Sequence, residues 1–503
     1  MEYTPINTKL GTVVCTSNGP SVNAFDFVLE DETPSVRRGE FVSSVVQEGV
    51  TVIARVHDLV RTNRYFEHAE AVREYQSRGQ SLRSMFPTNR WQYTIAETQV
   101  IGFWSNNRTI RPYSAVAPGA SVTRVDEEIL NDFLKLDRKN GLNLGTLGHH
   151  NLKFAPSMNR LLSKHLAILA MSGAGKSYFV SVLLEELLSR TKEEGRLAVV
   201  VVDVHGEYSY LKEMNGADLG KPNLDPDVEH IRASHFQIPV VSLSADAIAA
   251  LIAGMSSVQR RELRKVISKM RSHSRTGYTL SDVITTVRED NNINTNTKEA
   301  LIGWLLNLDE TALFGKEPTP KIETVIRPGK LLLIDLSDFV SLKKKQILVS
   351  YLANQLLYLR RSGRIPPFLL VLEEAHQFCP ESRKEIAIPK DRIETIAREG
   401  RKFFALLCLI SQRPVKLSTT VLSQCTNQAI FRCSNPYDLD HIGRTSEGID
   451  RASLDAITSL EVGESLMVGE VVSVPTFVKI RQRHFDPTGK ITNLIDAVRE
   501  ADR

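Results

Sequence analysis

The stretch ILAMSGAGKSYFV, residues 168–180, decides the fold. Within it, AMSGAGKS matches the phosphate-binding loop G-x-x-x-x-G-K-[ST] except at the first position, where Ala170 replaces glycine. In such a loop, backbone N–H groups surround a phosphate, the lysine reaches the β- and γ-phosphates, and the hydroxyl ligates Mg²⁺. The pattern therefore predicts ATP and Mg²⁺ binding, with Ser177 as a metal ligand. The predicted nucleotide-binding residues are Ser172, Gly173, Ala174, Gly175, Lys176, Ser177 and Tyr178.

The flanking residues place this loop between a strand and a helix. HLAILA (165–170) is a short apolar run, and YFVSVLLEELLSR (178–190) carries apolar residues at helical spacing. A bound phosphate would therefore lie at a helix N-terminus, which favours anions. The alternative is a glycine and serine turn that binds nothing, and the strand and helix argue against it. Ala170 removes no phosphate ligand, because the first glycine mainly shapes the turn.

Length and composition are those of an ordinary globular chain with two or three domains. The 503 residues are 42% hydrophobic and 24% charged, and no apolar run approaches the roughly 18 residues of a membrane span. The N-terminus has no secretory signal, and five cysteines without metal-ligand spacing favour buried thiols in a reducing compartment. We therefore expect a cytoplasmic protein with no membrane segment. A net charge of +4 neither demands nor excludes a polyanionic partner.

Residues 1–140 are predicted to form a small β-barrel or sandwich. Short β-rich runs alternate with turn signals, and a polar helical insertion interrupts them at about 65–90. The segment 118–136 then adds a turn and a capped helix. The β-rich runs are GTVVCTS (11–17), AFDFVLE (24–30), GEFVSSVV (39–46), VTVIARVHDLV (50–60) and WQYTIAETQVIGFW (91–104).

Residues 141–485 change to α/β alternation and predict a mainly parallel, buried sheet. Residues 245–315 are mostly helical in pattern and predict a helical subdomain, 464–483 predict a β-hairpin, and 486–503 a helical tail. The predicted strands are HLAILA, LAVVVVDV (197–204), QIPVVSL (237–243), KLLLIDL (330–336), FLLVLEE (368–374), FALLCLIS (404–411) and QAIFR (428–432).

Two carboxylates end one of these apolar strands. Glu373 and Glu374 follow FLLVL, at the strand edge where ligands of open α/β sheets bind. Paired acids suit two tasks in γ-phosphate hydrolysis, holding Mg²⁺ and polarising the attacking water. We assign the metal to Glu373 and the water to Glu374. Asp335 ends another apolar strand and is a weaker rival, since no second carboxylate adjoins it.

Further polar residues follow other strands or precede them. Gln412 follows a strand and can hydrogen-bond a γ-phosphate as a sensor, although a polar turn before proline explains it equally. Arg398 and Arg401 end a helix, where cations are common, but arginine also suits the charge of a transferring phosphoryl group in a neighbouring subunit. Asp203 and Glu207 either touch the site or cap the next turn.

The motifs AMSGAGKS, VVDVHGEY, LEEAH, IAREGRKF and SQRP resemble, in order and spacing, those of the HerA family of hexameric DNA translocases. The resemblance implies a RecA-like ATPase core in which Lys176 and Ser177 bind nucleotide and Mg²⁺, Glu373 and Glu374 form the acidic pair and Gln412 is the sensor. It implies that Arg398 or Arg401 reaches a neighbour's ATP. The β-rich N-terminus, with PGASV and NLGTL (143–147), is similar to the HAS-barrel of that family.

The same resemblance implies the partners. They are double-stranded DNA, a homo-hexamer, and a NurA-type nuclease that docks on the barrel during DNA-end resection. Basic residues that could contact DNA occur in three groups, of which we favour the loop after Glu374. The groups are Lys343, Lys344 and Lys345; Arg383, Lys384, Lys390 and Arg392; and Arg260, Arg261, Arg264 and Lys265.

Two other functions remain open from the residues. An ATPase that translocates protein shares much of this motor pattern, but the N-terminal barrel and the missing membrane segment argue against it. In a nucleotide-gated assembly scaffold, ATP would only close a ring, and a water-activating carboxylate such as Glu374 would have no task. A small-molecule kinase fits least, because the acid pair suits water as the acceptor.

Overall fold

The computed structural model describes residues 9–16, 19–30, 36–63, 66, 69–77, 91–222, 224–252, 254–273, 277–382, 387–446, 448–485 and 498. Its strands are β1 (Lys9–Val14), β2 (Ala24–Leu29), β3 (Phe41–Gln47), β4 (Val50–Asn63), β5 (Gln92–Ser105), β6 (Arg108–Ile110), β7 (Ser121–Arg124), β8 (Gly145–Leu147), β9 (Lys153–Phe154), β10 (Leu166–Leu169), β11 (Ala198–Asp203), β12 (Asp227–Arg232), β13 (Ile238–Pro239), β14 (Phe314–Gly315), β15 (Lys330–Asp335), β16 (Phe368–Leu372), β17 (Ala405–Ser411), β18 (Asn427–Ile430), β19 (Glu464–Val468) and β20 (Thr476–Ile480). Its helices are α1 (Ala69–Ser77), α2 (Glu127–Leu134), α3 (Met158–Leu162), α4 (Lys176–Leu188), α5 (Ala245–Ala250), α6 (Ser257–His273), α7 (Leu280–Glu289), α8 (Thr295–Asp309), α9 (Ile322–Val325), α10 (Leu342–Arg361), α11 (Lys390–Glu399), α12 (Thr419–Leu422), α13 (Pro436–Thr445) and α14 (Arg451–Thr458).

The chain divides into two compact units, which we call the barrel unit and the sheet unit. The barrel unit is Met1–Ser157 with Gly448–Ala456 and Glu464–Ile480. The sheet unit is Met158–Glu447 with Ile457–Gly463 and Arg481–Arg503. The domain boundaries predicted at residues 140 and 485 remain predictions.

The barrel unit contains a closed antiparallel barrel. Its strand order is β2-β1-β7-β3-β4-β5, and β5 pairs back with β2, while β6 extends the sheet beyond β5. Side chains of β2 alternate between inside and outside, so that Phe25, Phe27 and Leu29 are buried. A Cβ on Gly11 would lie 2.1 Å from the Val28 carbonyl oxygen, so only glycine fits at this position of the β1–β2 pairing. The predicted β-rich region is therefore a barrel rather than a sandwich.

The remaining elements of the barrel unit are a capped helix and a small antiparallel sheet. Asp126 caps α2 by accepting hydrogen bonds from the Glu128 and Ile129 N–H groups, as the sequence predicted. The small sheet has the order β19-β20-β8-β9 and includes the predicted C-terminal hairpin. Of the predicted helical insertion at 65–90, α1 lies in the described residues and 78–90 lie outside them.

The sheet unit is built on a parallel sheet with the order β12-β15-β11-β16-β17-β10-β18. Every residue of β10, β11, β16 and β17 is buried, as expected for strands covered on both faces. Because the strands are parallel, β10, β16 and β17 end at the same edge, which we call the carboxyl edge. The opposite edge, where these strands begin, is the amino edge.

One predicted strand of this sheet is wrong. QIPVVSL (237–243) contributes only β13, which pairs with β14 outside the main sheet, and then turns into a 3₁₀ helix at Val240–Ser242. Proline lacks an N–H for a strand ladder, so Pro239 favours the short strand. The edge position beside β15 belongs instead to β12, whose sequence DVEHIR is half-exposed and polar and so carries no buried-strand signal.

The helices predicted within residues 245–315 are present as α5, α6, α7 and α8, and their grouping into a subdomain remains a prediction. Four cysteines are buried, but Cys15 is exposed, contrary to the expectation of buried thiols. No helix among the described residues is long and apolar enough to cross a membrane. The predicted C-terminal tail lies outside the described residues except for Val498.

Candidate active site

The loop between β10 and α4 has the backbone of a phosphate cradle. Gly173 and Gly175 adopt φ values of 76° and 102°, which side chains rarely tolerate, and Gly175 directly precedes the first turn of α4. A Cβ on Gly175 would also lie 3.2 Å from the Gly463 nitrogen. The N–H groups at the start of α4 therefore face the turn that the glycines form, as an anion requires.

Ala170 does not need to be glycine. It is fully buried and is not among the described residues with positive φ. Its N–H donates to the Ser411 carbonyl oxygen at 3.2 Å, so it continues the β10–β17 pairing. The departure from the loop pattern therefore leaves the phosphate-facing glycines unchanged.

Lys176 lies between the two predicted carboxylates. Its Nζ is 3.6 Å from Glu373 Oε1 and 3.5 Å from Glu374 Oε1, and the side chain is 6% exposed. Burying ionisable groups is costly unless they compensate one another. A γ-phosphate entering this site would offer the lysine a stronger partner than either carboxylate does.

Glu373 is fully buried and is held by a backbone donor. Its Oε2 accepts a hydrogen bond from the Val204 N–H at 3.0 Å. Burial is the largest cause that raises the pKa of Glu373 to about 8; the charges of Asp203 and Glu207 act in the same direction, while Lys176 opposes them. Oε1 accepts no hydrogen bond from the described residues. A cation beside Oε1 would stabilise the ionised carboxylate.

This donor set fits a magnesium ion. The buried Glu373 Oε1 and the hydroxyl of Ser177 are oxygen ligands of the kind Mg²⁺ takes. Among the described residues, no group of three or more His, Cys, Asp or Glu side chains could hold a metal. Mg²⁺ commonly keeps several waters and binds through one or two protein groups plus phosphates, so this small set suffices.

Besides Lys176, Glu374 contacts Gln412 and His376 at the carboxyl edge. Its backbone is left-handed, with φ of 48°, which turns the chain sharply after β16. Gln412 donates from Nε2 to Glu374 Oε1 at 2.7 Å, and His376 Nδ1 lies 3.3 Å from Oε2. Gln412 follows β17, which lies between β16 and β10. The predicted sensor and the predicted water-activating acid therefore touch.

Two neighbours of this site were not predicted to take part. His376 contacts Glu374 and also lies 3.2 Å from Ser411 Oγ. Tyr208 is 1% exposed, and burial together with Glu373, Glu207 and Asp203 raises the pKa of its phenol. The motifs LEEAH and VVDVHGEY contain both residues, but a lone histidine or tyrosine gives no chemical signal in a sequence.

Asp203 caps a turn, which was one of its two predicted roles. Its carboxylate accepts hydrogen bonds from the N–H groups of His205, Gly206 and Tyr208. It also contributes charge next to Glu373. Asp335, the rival acid, ends β15 two strands away from β16 and accepts hydrogen bonds from the Ser337 N–H and His230. The adjacency of Glu373 and Glu374 to Lys176 favours the assigned pair.

Arg398 and Arg401 are not brought to this site. Arg398 belongs to α11, is half-exposed and lies 3.8 Å from Glu394. Arg401 is exposed in the turn just before β17 begins. Both therefore lie at the amino edge, opposite the phosphate loop. Within one chain, neither arginine can therefore reach a nucleotide bound at the phosphate loop.

The segment after β20 covers the start of α4. The Arg483 guanidinium lies 5.0 Å from the centroid of the Tyr178 ring, and the Arg483 N–H donates to the Tyr178 hydroxyl at 2.9 Å. Arg481 donates to Glu185 and Glu186, both at 2.8 Å. Tyr178, the last residue of the predicted nucleotide site, is therefore held by the chain's C-terminal segment.

Comparison with known proteins gives a consistent assignment. Residues 142–356 match the family model of the central domain of helicase HerA. A probable helicase of Methanocaldococcus jannaschii is 28% identical over 86% of this chain and 82% of its own length. A DNA double-strand break repair helicase HerA of Pyrococcus furiosus is 24% identical over 92% of this chain and 90% of its own.

Among solved structures, VirB4 of Thermoanaerobacter pseudethanolicus shares the fold. Its TM-score is 0.52 at 17% identity, over 70% of this chain and 98% of VirB4. At this identity the likeness concerns the fold alone. It agrees with the parallel sheet and phosphate loop described above.

Proposed function

The chain belongs to the HerA family of P-loop ATPases, and on that premise we propose that it couples ATP hydrolysis to movement along double-stranded DNA. Relatives named DNA double-strand break repair helicase support DNA as the substrate. The ATPase activity follows from the family and from the arrangement at the carboxyl edge.

The observation that carries the proposal is the position of Lys176 between Glu373 and Glu374, with Gln412 bound to Glu374. In our proposal Lys176 binds the γ-phosphate and leaves the two carboxylates to other tasks. Glu374 then orients and polarises the attacking water, while the N–H groups of the loop hold the phosphates. Mg²⁺, held by Ser177 and Glu373, would neutralise charge on the phosphates.

Gln412 is placed to report the state of the nucleotide. Before ATP binds, its amide donates to Glu374 at 2.7 Å. A γ-phosphate competes for the same donor, because charged oxygens are strong acceptors. Exchange of this hydrogen bond would release Glu374 toward the water and carry the change along β17.

An arginine from a second copy completes the proposed site. Arg398 or Arg401 would stabilise the charge of the transferring phosphoryl group in a neighbour, which requires an assembly in which one chain's amino edge faces another's carboxyl edge. Such a head-to-tail contact forms a ring when its rotation closes, and we propose a homo-hexamer. We further propose that a NurA-type nuclease docks on the barrel unit and that the pair resects DNA ends.

The test measures ATP turnover of the purified chain with and without linear duplex DNA, together with its mass in ATP. We expect a particle of six chain masses whose turnover rises severalfold with duplex. Turnover that ignores duplex at low salt would contradict DNA as the substrate, and the absence of steady-state turnover would leave only a nucleotide-gated scaffold.

A further inference from the structure

The loop after β15 carries apolar and basic side chains together at the carboxyl edge. Residues 337–344 read SDFVSLKK. Val340 is fully exposed and Leu342 is 45% exposed, so neither contributes to the core. Lys344 Nζ lies 5.8 Å from the centroid of the Phe339 ring, and Lys343 is exposed. The loop therefore presents two cations on a protruding apolar tip, which we call the basic tip.

The lysines of the basic tip differ from other predicted basic groups in their ion pairing. Within the part of the chain that the structure describes, neither Lys343 nor Lys344 forms an ion pair. The basic face of α6 differs, because Arg261 and Lys265 pair with Glu262 and Arg264 pairs with Asp246. The same sequence signal, a run of basic residues, therefore has two structural outcomes.

The other predicted basic group is divided between described and undescribed residues. Lys390 donates to the Pro380 carbonyl oxygen at 2.6 Å, and Arg392 is exposed on α11. Arg383 and Lys384 lie outside the described residues.

The next residue connects the basic tip to the catalytic edge. Lys345 Nζ donates to the Val204 carbonyl oxygen at 3.2 Å, and the Val204 N–H donates to Glu373 Oε2 at 3.0 Å. Burial lowers the pKa of Lys345, against the opposing charges of Asp335 and Asp338. One residue, Val204, therefore links the first turn of α10 to the buried carboxylate through its N–H and its carbonyl oxygen.

We propose that the basic tip binds the phosphate backbone of duplex DNA through Lys343 and Lys344, and that Lys345 is a positioning residue that links this contact to Glu373. The inference rests on the proposed function, since it names this chain's contact with the proposed substrate. Unpaired lysines are complementary to phosphates, and each contact releases condensed counterions from DNA. The tip lies at the same sheet edge as the ATP site, so movement of the tip would reach Glu373 through two hydrogen bonds.

The DNA contact is tested by the salt dependence of binding to a fluorescent linear duplex. For Lys343→Ala/Lys344→Ala, the log–log slope of affinity against salt should fall by about 1.8 for each engaged chain, at about 0.9 per lost contact. The matched control, Arg261→Ala/Lys265→Ala, removes the same charge from a paired surface and should keep the wild-type slope. Lys343→Arg/Lys344→Arg should restore it, and thermal unfolding excludes a folding defect.

A slope for the alanine pair equal to that of the α6 control would overturn the inference while leaving the proposed function intact. Loss of the ATP-dependent assembly in the alanine pair, with the slope retained, would show that the tip contacts a second copy and would also overturn it. A wild-type chain that binds no duplex would instead refute the proposed function itself.

The positioning role of Lys345 is tested by steady-state kinetics in saturating duplex. Lys345→Met should lower kcat roughly tenfold, the scale of a lost charge-assisted hydrogen bond, with KM for ATP and the salt slope little changed. Lys345→Arg should recover most of kcat, because it keeps the charge and the donor. A Lys345→Met enzyme with wild-type kcat would overturn this role.

Discussion

The two edges of the sheet unit hold their charges in opposite ways. At the carboxyl edge, Lys176, Glu373 and Glu374 are buried, and Lys176 Nζ lies within 3.6 Å of both carboxylates. At the amino edge, Arg398 and Arg401 are exposed to solvent, with one weak contact from Arg398 to Glu394. Buried charges are costly, whereas exposed arginines cost the fold little. The buried groups of the carboxyl edge therefore have the character of a ligand site, whereas the exposed arginines of the amino edge contribute little to the stability of their own chain.

The strand that connects these edges sets the distance between them. β17 begins at Ala405, four residues after Arg401, and ends directly before Gln412. Its seven residues span about 20 Å, which is far beyond the reach of an arginine side chain. In our proposal, these arginines therefore act on a nucleotide bound to another chain.

The largest expected effect lies at the amino edge. The double variant Arg398→Ala/Arg401→Ala should lower ATP turnover by about 10³-fold or more, the range for an arginine that stabilises phosphoryl transfer. Lys402→Ala removes a neighbouring exposed cation and should retain turnover. Single variants then assign the effect to one arginine. Wild-type turnover in the double variant would show that neither arginine of the amino edge takes part in hydrolysis.

The next effect concerns the carboxyl edge. Glu374→Gln should lower turnover by about 10²- to 10⁴-fold while ATP binding persists, because the amide cannot polarise water. Asp335→Asn, a buried acid two strands away from β16, should cost much less. Single-turnover quench experiments measure hydrolysis, and a fluorescent ATP analogue measures binding, so the two steps are followed separately. An equal loss in both variants would mean that the edge acts through fold stability rather than through Glu374.

A third effect depends on pH at the amino edge. His165 is 2% exposed, accepts the Leu407 N–H on Nδ1 and lies 3.1 Å from the Ala397 carbonyl oxygen through Nε2. Burial lowers the pKa of His165 to about 4. Its stabilising contribution is therefore complete above the unfolded value near 6.5 and is lost as pH falls toward 4, by about 3 kcal/mol.

This loss is measured by denaturant unfolding at pH 7 and pH 4.5. His165→Gln keeps a donor and an acceptor but does not titrate, so its midpoint should change less between the two pH values. If the denaturation midpoints of the wild type and of His165→Gln change equally between the two pH values, other groups dominate the acid sensitivity of this edge.

The smallest effect tests the link at the end of β17. Gln412→Ala removes the 2.7 Å hydrogen bond to Glu374 and should lower turnover about tenfold, within the usual range for one hydrogen bond to a charged group. Gln412→Glu should be worse than alanine, since it places a second negative charge beside Glu374. If alanine and glutamate variants turn over like the wild type, Gln412 does not act as a sensor.

The sequence was sufficient for the elements whose chemistry is local. Glycines with positive φ, apolar parallel strands and terminal acids all leave signals in a few consecutive residues, as in AMSGAGKS and FLLVLEE. The edge strand DVEHIR gave no such signal, because a half-exposed strand is not apolar. QIPVVSL was wrongly predicted as a strand of the main sheet from its apolar residues, because Val240–Ser242 form a 3₁₀ turn instead.

Contacts between distant segments were beyond the reach of the sequence. Lys345 was grouped with its neighbours as a candidate DNA contact, yet its ammonium donates to Val204, 141 residues away. His376 and Tyr208 owe their positions to the packing around Glu373 and Glu374 rather than to any pattern. Ion pairing also distinguishes the basic groups, since Glu262 pairs with Arg261 and Lys265 on α6, whereas Lys343 and Lys344 of the basic tip have no such partner among the described residues.

The most direct test mixes two inactive chains, Glu374→Gln and Arg398→Ala/Arg401→Ala, and measures ATP turnover. If one chain's amino edge completes another's carboxyl edge, random mixing pairs intact arginines with an intact Glu374 at about a quarter of the contacts, and turnover returns in proportion. A mixture as inactive as its components, although the two chains co-assemble, would contradict an active site shared between copies.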